Sequence, residues 1–252
     1  MKLKILSLNM MHGRNAQNSV FPIFLSKKTV VNNIRNVAKF IKKINPDIVA
    51  LQEVDYYSIT TGNIDQLEEI AKQAGYKYKF YSKNFSIGVA TFGTAILSKY
   101  LIVNPEAHNF PFAFPTPRKG FAVAEIRLPN RKRLLFSSVH MTWINYLRKK
   151  HRHKEAEILI KELLEYRKEN IVIAGDFNSN FKMNERTMNK IITKLDLHTY
   201  KPAAERMFTH PSIKPEIRID WIIASNNIKF DKYRTYLDKI SDHLPVYAEI
   251  SL

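Results

Sequence analysis

Asn170-Ile171-Val172-Ile173-Ala174-Gly175-Asp176-Phe177-Asn178-Ser179 decides how this chain is read. Four apolar residues, mostly β-branched, stop abruptly at Gly-Asp-Phe-Asn. That pattern is a buried strand whose end presents a carboxylate and a carboxamide two positions apart. Side chains at i and i+2 of a strand share a face. Asp176 and Asn178 can then point into one pocket, where a carboxylate beside a neutral amide suits holding and deprotonating a water. The alternative is an Asx turn that caps the next segment.

Other strands show the same habit. Leu3 to Leu8 ends at Asn9, Ile48 to Leu51 at Gln52-Glu53, and Arg133 to Val139 at His140. Arg218-Ile219-Asp220-Trp221-Ile222-Ile223 sets an acid in an apolar strand, and Ser241-Asp242-His243 precedes the last strand, 245–250. A buried acid needs a partner. Histidine is a natural one for Asp220, because a carboxylate on one ring nitrogen fixes the tautomer and raises the basicity of the other.

Between these strands, Val30, Ile34, Val37, Ala38, Ile41 and Ile44 follow helical spacing up to Pro46. Further helices are predicted over 64–74, 146–168 and 184–195. Further strands are predicted over 76–81, 90–98, 121–127 and 217–224, with another around Arg234. Strands outnumber helices, which suggests sheets with helices on their outer faces.

The chain has 252 residues, 45% of them hydrophobic, enough for one large domain spanning 1–252. There are no cysteines, which excludes disulfides, thiolate metal sites and a cysteine nucleophile. A reducing compartment fits, so the cytoplasm is the default expectation, with secretion left open. Met1 to Asn9 reads as a first strand and not as a signal peptide. No apolar run approaches a transmembrane length. Forty Lys and Arg against 23 Asp and Glu give a formal charge of +17. Such a surplus attracts polyanions: nucleic acid, an anionic membrane or phosphorylated small molecules. A general compositional bias toward Lys, Asn and Ile is the alternative source of that charge.

Leu51-Gln52-Glu53-Val54, Gly175-Asp176-Phe177-Asn178 and Ser241-Asp242-His243-Leu244-Pro245-Val246, in this order and spacing, resemble the endonuclease/exonuclease/phosphatase family of metal-dependent phosphoesterases. The resemblance runs from Asn9 to Val246. It implies a four-layer α/β/β/α sandwich, two mixed β-sheets packed face to face with outer helices, and a site at one edge. It also implies roles. Glu53 is the principal Mg²⁺ ligand, Mn²⁺ being the alternative ion, with Asn9 beside it and Asp242 completing the shell. Asp176 orients or deprotonates the attacking water, and Asn178 holds water or phosphate. His243, supported by Asp220, bonds a phosphoryl oxygen. His140 stabilises the phosphate or assists the leaving group. Arg118 is the candidate phosphate clamp, by bidentate pairing. In-line attack builds charge on the phosphoryl oxygens, where a metal, two histidines and an amide oppose it. No Gly-rich phosphate loop is present, and Ser137 and Ser138 lack a nucleophile-elbow context.

The substrate is less legible. Abasic-site endonucleases carry an acid two residues after the Asn, where Met11 stands. The Cys-Asp-Arg signature of inositol phosphatases is replaced by Ile219-Asp220-Trp221. His12-Gly13 is more like the branch with lipid-directed hydrolases. A phospholipid headgroup or small phosphodiester is therefore expected first, a nucleic acid second, and a non-catalytic binding protein third. A monomer is expected. The apolar stretches Phe110 to Pro115 and Phe21 to Leu25 either cover the core or meet a membrane or a base. His151 and His153 read as surface residues, and Arg131-Lys132-Arg133 as a solvated turn.

Overall fold

The computed structural model describes residues 1–16, 25–143, 149–167, 169–181, 186–204 and 206–252. Of the predicted Phe21 to Leu25 patch, residues 21–24 lie outside them and Leu25 is buried. The elements run β1 (Lys2–Asn9), α1 (Lys27–Ile44), β2 (Ile48–Asp55), α2 (Gln66–Ala74), β3 (Tyr78–Ile87), β4 (Ala90–Ser98), β5 (Leu101–Asn109), β6 (Gly120–Arg127) and β7 (Arg133–His140). They continue with α3 (Lys149–Leu163), β8 (Ile171–Asp176), α4 (Thr187–Leu195), β9 (Leu197–Thr199), β10 (Asp220–Ser225), β11 (Lys229–Thr235) and β12 (Val246–Ser251).

Two six-stranded mixed sheets result, ordered β11-β12-β1-β2-β4-β3 and β5-β6-β7-β8-β10-β9. Their inner faces meet in one core, with Leu3, Ile5, Ile48 and Ala50 opposing Phe136, Val172, Ala174 and Ile222. The outer face of the first sheet is covered by α1 and α2 through Val30, Ile34, Val37 and Ile70. That of the second is covered by α3 and α4 through Leu159, Leu163, Ile191 and Leu195. The expected four layers follow from this alternation. Successive residues of each central strand serve the inner core and a helix layer in turn, so such strands read as continuous apolar runs.

Local signals set the boundaries. Ser26 Oγ accepts the Thr29 N–H at 3.2 Å and caps α1. Asn45 ends it at φ +54°, and Pro46 prevents continuation. Two strands escape the sequence reading. β9 has three residues, too short for a pattern. β5 is an edge strand, mostly exposed, with a register shift across Asn104-Pro105. An exposed edge needs no apolar alternation and tolerates proline.

The parallel pairs β1–β2 and β7–β8 share a direction, and β10 and β12 run against them. The C-terminal ends of β1, β2, β7 and β8 and the N-terminal ends of β10 and β12 therefore gather at one edge of the sandwich. His140, Asp176 and Asp220 lie in direct register across β7, β8 and β10. Asn9 pairs with Gln52 on the facing sheet.

Candidate active site

A register row fixes which side chains meet. Asp176 follows Val172 and Ala174 on the inner face, His140 follows Phe136 and Ser138, and Asp220 precedes Ile222 and Ala224. All three are within 3% of full burial. From the facing sheet Asn9 Nδ2 donates to Asp176 Oδ2 at 3.1 Å, and Asn9 Oδ1 accepts the Met11 N–H at 3.0 Å. His243 Nδ1 and Asp220 Oδ2 are 2.8 Å apart, so the paired acid and histidine meet as expected. The N–H groups of Ile219 and Asp220 both donate to Thr209 Oγ1, which holds the start of β10.

The Asx-turn reading of the Gly-Asp-Phe-Asn stretch is realised. The Asn178 N–H donates to Asp176 Oδ1 at 2.9 Å, an Asx turn, with Asn178 at φ +48°. Asn178 Nδ2 donates to the Met141 carbonyl at 2.9 Å. Asn178 is thereby spent on holding Asp176 and the β7 end, while Asp176 Oδ2 faces the cleft.

Glu53 reaches the cleft through a backbone irregularity. Simple alternation places it with Val49 and Leu51, against the helices. A register shift between Leu51 and Val54, with Glu53 at φ +53°, turns it to the inner face beside Gln52. Bulges and left-handed non-glycine residues of this kind gather at functional sites. Its carboxylate then meets three nitrogens: Lys119 Nζ at 3.0 Å, His12 Nε2 at 3.3 Å and His140 Nε2 at 3.7 Å.

Two of these were not anticipated. Lys119 is 4% exposed and turned inward, whereas its neighbour Arg118, the expected clamp, is exposed. Alternation carried back from Ala124 and Ala122 favours Arg118. The chain leaves the ladder at Gly120, and the parity ends there. His12 is held at Nδ1 by Asp55 Oδ1 at 2.7 Å, and Asp55 Oδ2 accepts Thr61 Oγ1 at 2.5 Å. Gln66 closes the network, accepting the Asp55 N–H and donating to the His12 carbonyl. Asp242 is not brought to Glu53. Its carboxylate lies with His210 and His243 and accepts Ser241 Oγ, because the loop before β12 stands on the far flank.

Charge in the cleft is strongly redistributed. Burial raises Glu53, but Lys119, His12 and His140 outweigh it and hold the carboxyl well below its usual range. Burial, then Lys119, pushes His140 well down, so it is neutral. Burial would lower His243, but Asp220 and Asp176 raise it well above the ordinary histidine value. Burial and the Asp220 charge push Asp176 up to about 7. Two neighbouring buried carboxylates, one with Oδ1 lacking any hydrogen-bond partner among the described residues, and a third nearby that draws in an ammonium make a cleft short of positive charge. The oxygen donors Glu53 and Asn9 there suit a hard divalent cation.

The sequence profile of the endonuclease/exonuclease/phosphatase family matches residues 6–243. No curated protein matches the sequence. Among solved structures, the fold is similar to that of the endonuclease/exonuclease/phosphatase from Bacteroides vulgatus, with TM-score 0.78 and 16% identity over 100% of this chain and 99% of that one. It is also similar to beta toxin from Staphylococcus aureus, with TM-score 0.71 and 19% identity over 98% and 99%. A humanized TDP2 from D. rerio gives TM-score 0.71 and 16% identity over 100% and 99%. With its profile matched over nearly the whole length, this chain belongs to the endonuclease/exonuclease/phosphatase family, whose members are metal-dependent hydrolases of phosphoester bonds.

Proposed function

We propose that this chain is a Mg²⁺-dependent phosphodiesterase that hydrolyses a phospholipid headgroup or a related small phosphodiester by direct attack of water. One observation carries the reading. Asp176 Oδ2 faces two imidazole edges, 3.5 Å from His140 Nε2 and 3.9 Å from His243 Nε2. A base and two donors around one space suit a water and the phosphoryl group it attacks.

Asp176, held by Asn178 and Asn9, takes the proton as the water oxygen bonds to phosphorus. The bond to the leaving oxygen breaks on the opposite side, and that oxygen collects a proton from solvent. His243, protonated through Asp220 and Asp176, donates to a phosphoryl oxygen. Neutral His140 donates a second hydrogen bond, and Lys119 adds charge. Glu53 and the Asn9 side-chain oxygen would hold a divalent cation, which would supply Lewis-acid stabilisation of the developing charge.

A nucleic acid is the second reading, favoured by the +17 charge. The test is a panel of sphingomyelin, phosphoinositides, plasmid DNA, RNA and bis-p-nitrophenyl phosphate, with Mg²⁺, Mn²⁺ or EDTA. Metal-dependent lipid turnover that Glu53→Ala and His243→Ala both abolish is expected. Turnover that survives both substitutions refutes the site assignment. DNA nicking without lipid turnover replaces the first reading with the second.

A further inference from the structure

The strand registers sort the protein surface into two ends. At the site end stand the β3–β4 tip, since Ile87 pairs with Ala90 and Asp55 with Phe92, and the β5–β6 loop, since Asn109 pairs with Gly120. The loops after β2, β7 and β11 and the loop before β10 open at the same end. Twelve large apolar side chains are exposed among the described residues. Ten of them lie on these site-end segments. Only Leu101 and Leu164 lie at the opposite end, one at the start of β5 and one after α3.

The ten surround the cleft. Ile87 and Val89 cap the β3–β4 tip, and the Ile59 N–H donates to the Val89 carbonyl, which brings Tyr57 and Ile59 to the same place. Because β3 packs across from β5, the β5–β6 loop lies beside that tip and presents Phe112 and Phe114, the latter 74% exposed. Trp143 follows His140 by three residues and is 59% exposed. Ile213 and Leu237, the latter 77% exposed, stand on the far flank near Asp242. The Phe110 to Pro115 stretch thus divides: Phe110 and Ala113 cover the core, and the two other rings face outward. Scattered apolar residues need no explanation, but an apolar rim confined to the catalytic edge does.

We propose that this rim is a membrane-docking face that seats the cleft on an anionic lipid bilayer. Its occupant is argued from composition and charge. Half of the ten are aliphatic, and Ile, Val and Leu cannot stack on a base, whereas all insert among acyl chains. Exposed Arg118, Lys83 and Lys239 stand among them, on a chain of formal charge +17. Apolar insertion combined with attraction to anionic headgroups is the pairing that gives stable peripheral binding. Only the identity of the bond cleaved rests on the phosphodiesterase reading; docking is measured without turnover.

The experiment is co-sedimentation with phosphatidylcholine/phosphatidylserine vesicles in EDTA, at low salt and at 0.5 M NaCl. Wild type is expected to bind at low salt and to retain part of that binding at high salt, where charge attraction is screened. The variant carrying Ile87→Ser, Val89→Ser and Phe112→Ser is expected to partition at least tenfold more weakly. The control carrying Leu101→Ser and Leu164→Ser stays within twofold of wild type. Turnover of soluble bis-p-nitrophenyl phosphate with Mg²⁺, unchanged within twofold, shows that the rim variant is folded. Wild type that does not sediment, or a rim variant that binds like wild type, overturns the proposal. So does a rim variant that loses single-stranded DNA and keeps vesicles. Vesicle binding without any hydrolysis of soluble diester refutes the phosphodiesterase reading and leaves the docking face standing.

Discussion

Lys119→Met removes the ammonium beside Glu53 and keeps the length of the buried stem. Lys119 Nζ lies 3.0 Å from Glu53 Oε1, with side-chain exposures of 5% and 16%. Removing one partner of a buried pair costs about 3–5 kcal/mol, because the other charge stays behind. Glu53 keeps some contact with solvent and has His12 at 3.3 Å, so the lower end, about 3 kcal/mol, applies. For a chain of this size each kcal/mol moves Tm by about 2–4 °C, so the variant melts roughly 6–12 °C below wild type in EDTA. A divalent cation restores the missing charge. The variant also binds it more tightly, since no ammonium opposes it, and Mg²⁺ at about 100 times Kd returns about 2.7 kcal/mol. The gap in Tm between the two proteins therefore narrows as Mg²⁺ is added. Thermal melts across a Mg²⁺ titration, with calorimetry for Kd, measure both effects. Equal Tm in EDTA, or weaker Mg²⁺ binding by the variant, refutes the view that Lys119 stands in for the cation.

The protonation of Asp176 gives a pH signature. Its carboxyl is raised to about 7 from the ordinary 3.8, so the folded chain binds this proton more tightly than the unfolded one. That contribution to stability is full below about pH 4 and is lost as pH rises through about 7. In EDTA, Asp176→Asn should flatten the fall in Tm between pH 5 and 8, and an unchanged fall assigns it elsewhere, for example to Glu155, which burial raises to about 7. Turnover should fall at acid pH as the base protonates and at alkaline pH as His243 loses its proton. His12→Ala strands the buried Asp55 carboxylate and should cost about 2 kcal/mol in urea unfolding; an unchanged midpoint means Thr61 suffices. Gly175→Ala would place a Cβ 2.0 Å from the Val139 carbonyl oxygen, in backbone that cannot yield. It should destabilise by more than about 3 kcal/mol, the range of severe overpacking, and a soluble, wild-type-like melt would refute that clash.

The layers and the order of the site were legible because buried strands in this sandwich are apolar on both faces, and their polar ends stand out. Asn9, Glu53, His140, Asp176, Asp220 and His243 all announce themselves by breaking an apolar run. What strand periodicity could not convey is where periodicity fails. The bulge that turns Glu53 inward leaves no mark in Leu51-Gln52-Glu53-Val54. Arg118 and Lys119 differ by one step, and the chain leaves its ladder between Lys119 and Gly120, so counting back chooses the wrong one. His12 and Asp55 sit 43 residues apart, and their meeting depends on a loop with His12 at φ +59°. Asp242 adjoins His243 in sequence yet faces the other flank.

The row His140, Asp176, Asp220 is spaced by the hydrogen-bond ladder of three central strands, whereas the apolar rim, apart from Ile87 at the end of β3, is carried by connections. Chemistry and address are thus built from separable parts. Loops grafted from a relative leave the ladder spacing untouched, so chimeras of this chain can change the rim without relocating that row. The three-residue row tolerates no such change, since a slip of one position in any of its strands would turn that residue to the helix layer.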